Sequence, residues 1–76
     1  MTEPRNPMKE SDVEKVDAWV LKHIDEEKYL VEDYDEVSRT RIDVWTLDSK
    51  GRNVIFKLEV KNGKVNLVGK EVIRDE

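Results

Sequence analysis

The residues of this 76-residue chain that could do chemistry are one histidine and many carboxylates, with no cysteine. His23 lies one predicted helical turn from Trp19 and has no serine or cysteine at a spacing that would form a triad. We interpret it as structural, with a catalytic or pH-sensing role as the minor alternative. Asp17 falls inside an apolar stripe, where we expect it to bond a loop N–H. A buried functional carboxylate is the alternative.

Acidic residues cluster in two runs, 25–27 and 32–36, which could in principle collect a divalent cation. An EF-hand loop requires alternating oxygen ligands and a central glycine, and that glycine is missing here. A zinc cage is not expected from a single imidazole without thiols. The three glycines fit turns or the last strand and do not form a phosphate loop. The sequence therefore predicts a solvated acidic edge, no cofactor, no metal and no enzyme.

Composition bounds the class of protein. The length allows one domain, and the absence of cysteine fits a reducing compartment. The longest apolar runs are only three or four residues, and the N-terminus has no apolar core for a signal peptide. We therefore expect a soluble, cytoplasmic protein with no membrane partner. Charged residues make up 42% of the chain and glutamine is absent, which is typical of hyperthermophile proteins but also of an ordinary, very soluble protein.

The net charge of −4 is unevenly distributed. Residues 9–36 carry four lysines and eleven acids, whereas residues 38–76 carry nine basic and six acidic side chains. The two halves could attract each other within the fold, or they could present opposite faces to a partner.

We divide the chain into a flexible N-terminal arm, residues 1–10, and a single α+β domain, residues 11–76. The arm contains both prolines and little apolar content. Ser11 and Glu14 fit an S-x-x-E capping box, in which each side chain satisfies the free backbone N–H of the other residue. This pattern predicts that the helix starts at Ser11.

The predicted helix is amphipathic and is followed by strands only. Its apolar stripe consists of Val13, Val16, Val20 and Ile24, with Leu21 on the border. We expect it to end near residues 25–27, because acids are unfavourable at the negative end of the helix dipole. A first strand begins at Tyr29 and gives way to acids. The other strands are expected at about residues 39–47, 52–61 and 64–73.

Two turns set the strand register. Asn62-Gly63 is typical of a two-residue type I′ hairpin, and residues 48–51 fit a type I turn followed by a left-handed glycine. Both turns independently place the same apolar residues on one face: Ile42, Val44, Val54, Phe56, Leu58, Val60, Val65 and Leu67. The helix must cover this face of an antiparallel β-meander. Gly69 either leaves room for the Phe56 ring or marks a bulge.

The order of one helix followed by a meander is similar to that of cystatin-like and PepSY-type domains. The resemblance covers element order only. The chain has no Q-x-V-x-G loop of the cystatins and no transferable motif of either family, so the sequence assigns no family.

The opposite face of the sheet is the candidate functional surface. The register pairs Arg41 with Glu59 and Asp43 with Lys57, as expected for a solvent-facing sheet. Beside these pairs lies an apolar cluster with a tryptophan, which requires an explanation that a single exposed leucine does not. The predicted interaction surface comprises Trp45, Leu47, Ile55, Val68, Val72, Arg41 and Lys57.

Three occupants of that surface remain open: the arm or first strand of the chain itself, a protein partner, and a small ligand. The leading hypothesis is a non-enzymatic protein-interaction module that associates with itself, as a homodimer, or with another protein. The first alternative is weak single-strand nucleic-acid binding, because Trp45 shares the face with basic residues: Arg39, Arg41, Lys57, Lys61 and Lys70. The second alternative, a small enzyme or ligand-binding domain, is disfavoured because the short turns leave little concavity. The neighbouring acids Glu59 and Asp43 offset these charges and disfavour nucleic acid as a partner.

Overall fold

The computed structural model describes residues 8–73, in which one helix precedes a four-stranded sheet. The elements are α1 (Glu10–His23), β1 (Tyr29–Glu36), β2 (Arg41–Asp48), β3 (Asn53–Lys61) and β4 (Lys64–Ile73). The strands are antiparallel neighbours in the order β1-β2-β3-β4. The predicted α+β meander is confirmed. Residues 1–7 of the predicted arm lie outside the described residues.

The register predicted from the two turns is confirmed where it was derived. Asn62 and Gly63 have positive φ angles of 53° and 74°, and Gly51 has a φ of 81°. These are the backbone conformations that a type I′ hairpin and a left-handed loop residue require. Val44 pairs with Phe56, and Trp45 pairs with Ile55. Because side chains alternate along a strand, Phe56 points toward the helix and Trp45 points away from it.

The corner between β2 and β3 is held by the carboxylate of Asp48. It accepts hydrogen bonds from the backbone N–H groups of Lys50 (2.9 Å) and Arg52 (2.8 Å). The Arg52 guanidinium adds an Nε bond and an Nη2 ion pair, both 2.9 Å long. These bonds to the charged form, chiefly the Arg52 N–H, lower the pKa of Asp48 below its ordinary value of 3.8.

The core lies between α1 and one face of the sheet. Its buried residues are Met8, Val16, Val20, Ile24, Ile42, Val44, Val54, Phe56, Leu58 and Val60. Thr46 is the buried polar residue among them, and its Oγ1 donates to the Val54 carbonyl at 2.7 Å. That bond explains why a hydroxyl is tolerated at a fully buried position.

The capping box makes Ser11 the N-cap residue, but the observed N-cap lies two residues earlier, so that prediction is wrong. Lys9 is the N-cap residue and makes no side-chain capping bond, so Ser11 lies within the first turn. Met8, just before the helix, is buried in the core, and its N–H donates to the Glu36 carboxylate at 3.2 Å. Burial of Met8 fixes where the chain enters the helix and overrides the local capping signal.

The helix also ends earlier than expected. It stops at His23, and Ile24 is extended and buried. The Asp25 carbonyl accepts hydrogen bonds from the Lys28 and Tyr29 N–H groups, which makes a compact turn into β1. The chain therefore uses the acidic run as a turn rather than as the last turn of the helix.

β1 is longer than the sequence indicated. It continues through the acidic run to Glu36 and pairs with β2 along its length. A register shift between Val31 and Asp33 leaves Glu32 unpaired as a bulge. The bulge keeps Tyr34, opposite Val44, on the helix side, so the acidic run still contributes a half-buried ring to the core.

β4 contains a second bulge, which settles the two alternatives for Gly69. Leu58 pairs with Leu67 but Lys57 pairs with Gly69, so Val68 is the extra residue. The bulge moves the following residues to the opposite face, and two predictions are therefore wrong. Val72 lies opposite Val54 on the helix side. Lys70 lies opposite Phe56, with its Nζ 5.5 Å from that ring's centroid and 5.9 Å from the centroid of Tyr29.

The cross-strand pair Leu58 and Leu67 tests where the core ends. Leu58 is 0% exposed and Leu67 is 47% exposed, although they lie side by side on the same face. We expect Leu58→Ala to lower the free energy of unfolding by about 2–5 kcal/mol and Leu67→Ala by less than about 1 kcal/mol. Urea denaturation of both variants measures this, and equal losses would contradict the assigned core boundary.

The Asp48 corner predicts an acid-dependent loss of stability. Because the folded pKa is lowered, the contribution of Asp48 is present above its ordinary pKa and is lost as the pH falls through the folded pKa. We expect Asp48→Asn to lower the urea midpoint at pH 7. The difference from wild type should shrink below about pH 4. A difference that stays constant down to pH 2 would contradict the role of the charged carboxylate.

Candidate functional site

The outer face of the sheet, opposite α1, carries an apolar patch that spans all four strands. We define the outer patch as Leu30, Trp45, Leu47, Ile55 and Ile73. The register joins these residues, since Leu30 pairs with Leu47 and Trp45 pairs with Ile55, and Ile73 lies opposite Asn53 in the next position. Among residues 8–73, α1 is the only helix, and it packs on the other face. The molecule is accordingly only 17 Å thick in its shortest dimension.

The members of the outer patch differ in exposure. Leu30 is 64% exposed and Ile73 is 39% exposed, while Trp45 and Leu47 are half-buried. Ile55 is only 4% exposed, although it faces away from the helix. Ile55 is therefore the buried centre of the outer patch.

An ion pair borders the buried centre. Glu71 lies directly opposite Ile55, and its carboxylate contacts Lys57 Nζ at 3.2 Å. Lys57 follows Ile55 on the same face of β3. Lys57 of β3 therefore forms its ion pair with Glu71 of β4. It was expected to pair with Asp43, the residue opposite it on β2.

A second polar border lies across the sheet. The Asn53 Nδ2 donates to the Glu32 carboxylate at 3.0 Å and to the Thr46 carbonyl at 3.3 Å. Glu32 is the bulge residue of β1, so this contact reaches across β2. The two borders frame Trp45, Leu47 and Ile55 with polar groups, the arrangement of an apolar centre with a polar rim.

Two polar atoms of this face lack partners. The Nε of Arg41 and the Oδ1 of Asp43 are buried without a hydrogen bond within the described part of the chain. They are adjacent on the same face of β2 and lie beyond Trp45 along the strand. Buried polar groups in native proteins are nearly always paired, so these two atoms are an unmet cost of burial at this end of the patch.

The structure brings together five of the seven predicted site residues. Trp45, Leu47, Ile55, Arg41 and Lys57 lie on the outer face, as the register required. Val72 is on the helix side, and Val68 is the unpaired bulge residue of β4. Sequence reasoning missed Leu30, because β1 was expected to be short, and Ile73, because the bulge shifts the face by one residue. Pairing a longer β1 with β2 would have placed Leu30 opposite Leu47, on the outer face.

No family model, curated protein or solved structure matches this chain. The similarity of element order to cystatin-like and PepSY-type domains therefore stands alone and carries no functional residue.

The charge of the outer face does not favour a nucleic-acid interface. Lys70 lies on the helix side, and Arg39 lies between β1 and β2. In exchange, β1 adds Asp33 opposite Trp45 and Asp35 opposite Asp43. The carboxylates around Trp45 thus offset the positive charges that would contact phosphates.

His23 packs on Trp19. The two rings are stacked with centroids 4.6 Å apart, and Nδ1 lies 3.1 Å from the Trp19 carbonyl. A carbonyl only accepts, so Nδ1 carries the proton in this contact.

No group of three potential metal ligands occurs within residues 8–73, and no helix there is long and apolar enough to cross a membrane.

A cleft lies between the helix and β1. Its volume is about 320 Å³, and Val20, Ile24 and Val31 form part of its wall. At its rim the Tyr34 hydroxyl donates to the Asp17 carboxylate at 3.3 Å. Asp17 was expected to bond a loop N–H, and its hydrogen-bond partner is instead this phenol. Burial, and then the Asp17 charge and hydrogen bond, raise the pKa of Tyr34.

The contact of Tyr34 with Asp17 predicts a loss of stability in alkali. Because the folded pKa of Tyr34 is raised, its contribution is present below the ordinary pKa of 10.0 and is lost as the pH rises through the folded value. We expect wild type to lose thermal stability more steeply above pH 10 than Tyr34→Phe does. Melting curves between pH 8 and pH 11 measure this, and parallel losses would contradict it.

Proposed function

We propose that this chain is a non-enzymatic protein-interaction module that binds an apolar protein surface, a second copy included, through the outer patch. The observation that supports this is the half-buried Trp45 within the outer patch, which no other element between residues 8 and 73 covers. Aromatic anchors surrounded by a polar rim are characteristic of protein interfaces.

The energetics favour a protein partner over a small ligand. Burial of apolar area contributes about 25 cal/mol per Å². Because the outer patch extends over four strands, most of its area is buried only against another broad surface. Small-molecule sites are concave, and the cleft of about 240 Å³ beside the outer patch is lined by only two of its residues, Leu30 and Leu47.

The surroundings of the site agree with this proposal. The carboxylates beside Trp45 favour a protein partner over nucleic acid. We place the protein in the cytoplasm on its lack of cysteine, which suits a reducing compartment.

Tryptophan emission tests the proposal directly, because the chain has two tryptophans and one can be removed. In a Trp19→Phe background, Trp45 is the sole tryptophan. We expect its emission to shift to shorter wavelength as the protein concentration rises or as a partner is added, because Trp45 becomes buried at the contact. Sedimentation at the same concentrations gives the mass of the complex.

Two variants complete that experiment. Trp45→Ala should weaken association at least about tenfold, whereas Leu21→Ala, an exposed leucine on α1, should not change it. Circular dichroism confirms that each variant is folded. A wild-type protein that stays monomeric at millimolar concentration, with Trp45 emission unchanged by any added protein, would refute the outer patch as a binding surface.

A further inference from the structure

β4 is a free edge of the sheet and exposes apolar side chains. It pairs with β3 on one side only. Of the large hydrophobic residues that are exposed within residues 8–73, four lie on it: Leu67, Val68, Val72 and Ile73. A long edge strand with unpaired backbone groups and apolar side chains is a template for pairing with another strand.

The direction of the free backbone groups follows from one hydrogen bond. The Val60 N–H donates to the Thr40 carbonyl at 2.8 Å, so Val60 bonds toward β2. In an antiparallel ladder the bonding direction alternates. Val65, opposite Val60, therefore has its N–H and C=O directed to the free edge, as does Leu67. Beyond the bulge, Lys70 is opposite Phe56 and is directed outward for the same reason.

The other edge of the sheet does not favour self-pairing. The C-terminal part of β1 carries four acids, Glu32, Asp33, Asp35 and Glu36, and the bulge at Glu32 interrupts the strand. Two copies of β1 side by side would place carboxylates against carboxylates. β4 instead carries both signs, with Lys64 at one end and Glu71 near the other.

We propose that β4 pairs antiparallel with β4 of a second copy, so that two four-stranded sheets form one eight-stranded sheet across a twofold axis. In the register that fits the charges, Lys64 lies opposite Glu71 of the second copy, and this pair occurs twice. Val65 then lies opposite Lys70 as a hydrogen-bonded pair. Leu67 then lies opposite Val68 of the second copy, and Val68 lies opposite its Leu67, on the two sides of the axis; these are the most exposed apolar residues of β4.

The Val68 bulge makes this register possible. Lys64 precedes the bulge, and Glu71 follows it and lies opposite Ile55, so both are on the outer face of the sheet. Without the extra residue, Glu71 would be on the helix side and could not meet Lys64 across an antiparallel pair. The bulge likewise directs both Val65 and Lys70 outward, which lets them exchange backbone hydrogen bonds.

The occupant that fits this edge is a second copy rather than the acidic β1 of another molecule. Pairing β4 with β1 of the next copy would match opposite charges, but it would place Leu67 and Val68 beside carboxylates. It would also leave a free edge at each end and so give open polymers. Pairing β4 with itself buries apolar residues against each other and closes at the dimer. This inference does not depend on the outer patch.

Hydrogen exchange of the full chain tests the geometry. We expect the backbone amides of Val65 and Lys70 to exchange more slowly as the protein concentration rises, while sedimentation shows a monomer–dimer equilibrium. The β1 amides should be unaffected. A contact formed through the outer patch would instead change Trp45 emission without protecting the β4 edge, so the two proposals fail independently.

Matched variants test the residues. Leu67→Lys should raise the dissociation constant at least about tenfold, because it places a charge at the axis. Leu21→Lys, the same change on α1, should leave it unchanged. Lys64→Glu should weaken the dimer, since it places two acids opposite each other at both ends, whereas Lys22→Glu, the same change on α1, should have little effect.

The outcomes that overturn the inference are specific. A chain that remains monomeric at millimolar concentration, or a dimer in which the Val65 and Lys70 amides stay unprotected, excludes β4 pairing. Protection of β1 amides together with species larger than a dimer shows pairing of β4 with β1 instead. A Lys64→Glu dimer as tight as wild type overturns the proposed register.

Discussion

One helix can bury only one face of a sheet, and the structure of this protein depends on that constraint. The two turns fix which residues alternate toward α1, and every strongly buried residue of β2 and β3 except Ile55 belongs to that set. The opposite face and the margins of the sheet are therefore left to side-chain contacts. The outer patch and the free edge of β4 are two consequences of the same shortage of covering elements.

The chain compensates for this shortage with contacts that reach over its own surface. Lys70 lies over the rings of Tyr29 and Phe56, which themselves meet edge to face with centroids 5.4 Å apart. Met8 extends the core beyond the first turn of the helix. On the outer face, an ion pair and an amide–carboxylate bond border the apolar strip. These contacts are individually weak where they are exposed, so they shape the surface more than they stabilise the fold.

Features with a local chemical cause could be predicted from the sequence, and features set by packing could not. Asn62-Gly63 requires positive φ angles whatever surrounds it, so the register near it was predictable. The start of the helix was not, because a capping bond contributes only about 1 kcal/mol and burial of a methionine contributes more. The bulge at Val68 was one of two recognised alternatives. A side chain at Gly69 would make only ordinary contact with Lys57, at 3.4 Å, so the glycine alone could not decide it.

The candidate site shows the same division. Trp45 and Ile55 were placed correctly because they flank the turn at residues 48–51, whereas Val72 and Lys70 were misplaced because they lie beyond the bulge. A one-residue shift exchanges the faces of a strand, so an error in one residue changed the composition of a whole surface. Predictions of a functional face are therefore most reliable close to the turn that sets the register.

The high charge content does not produce a network of ion pairs within residues 8–73. Close ion pairs within residues 8–73 are Arg52–Asp48 and Lys57–Glu71, which is not the network of charges that stabilises hyperthermophile proteins. Most charges are instead solvated and give the molecule a net negative surface, which repels non-specific contacts between copies. Repulsion is strongest along acidic β1 and weakest along β4, where the charges are few and of both signs. Charges of both signs and exposed apolar side chains thus occur together on β4, whereas the exposed Leu30 of β1 shares its strand with four acids.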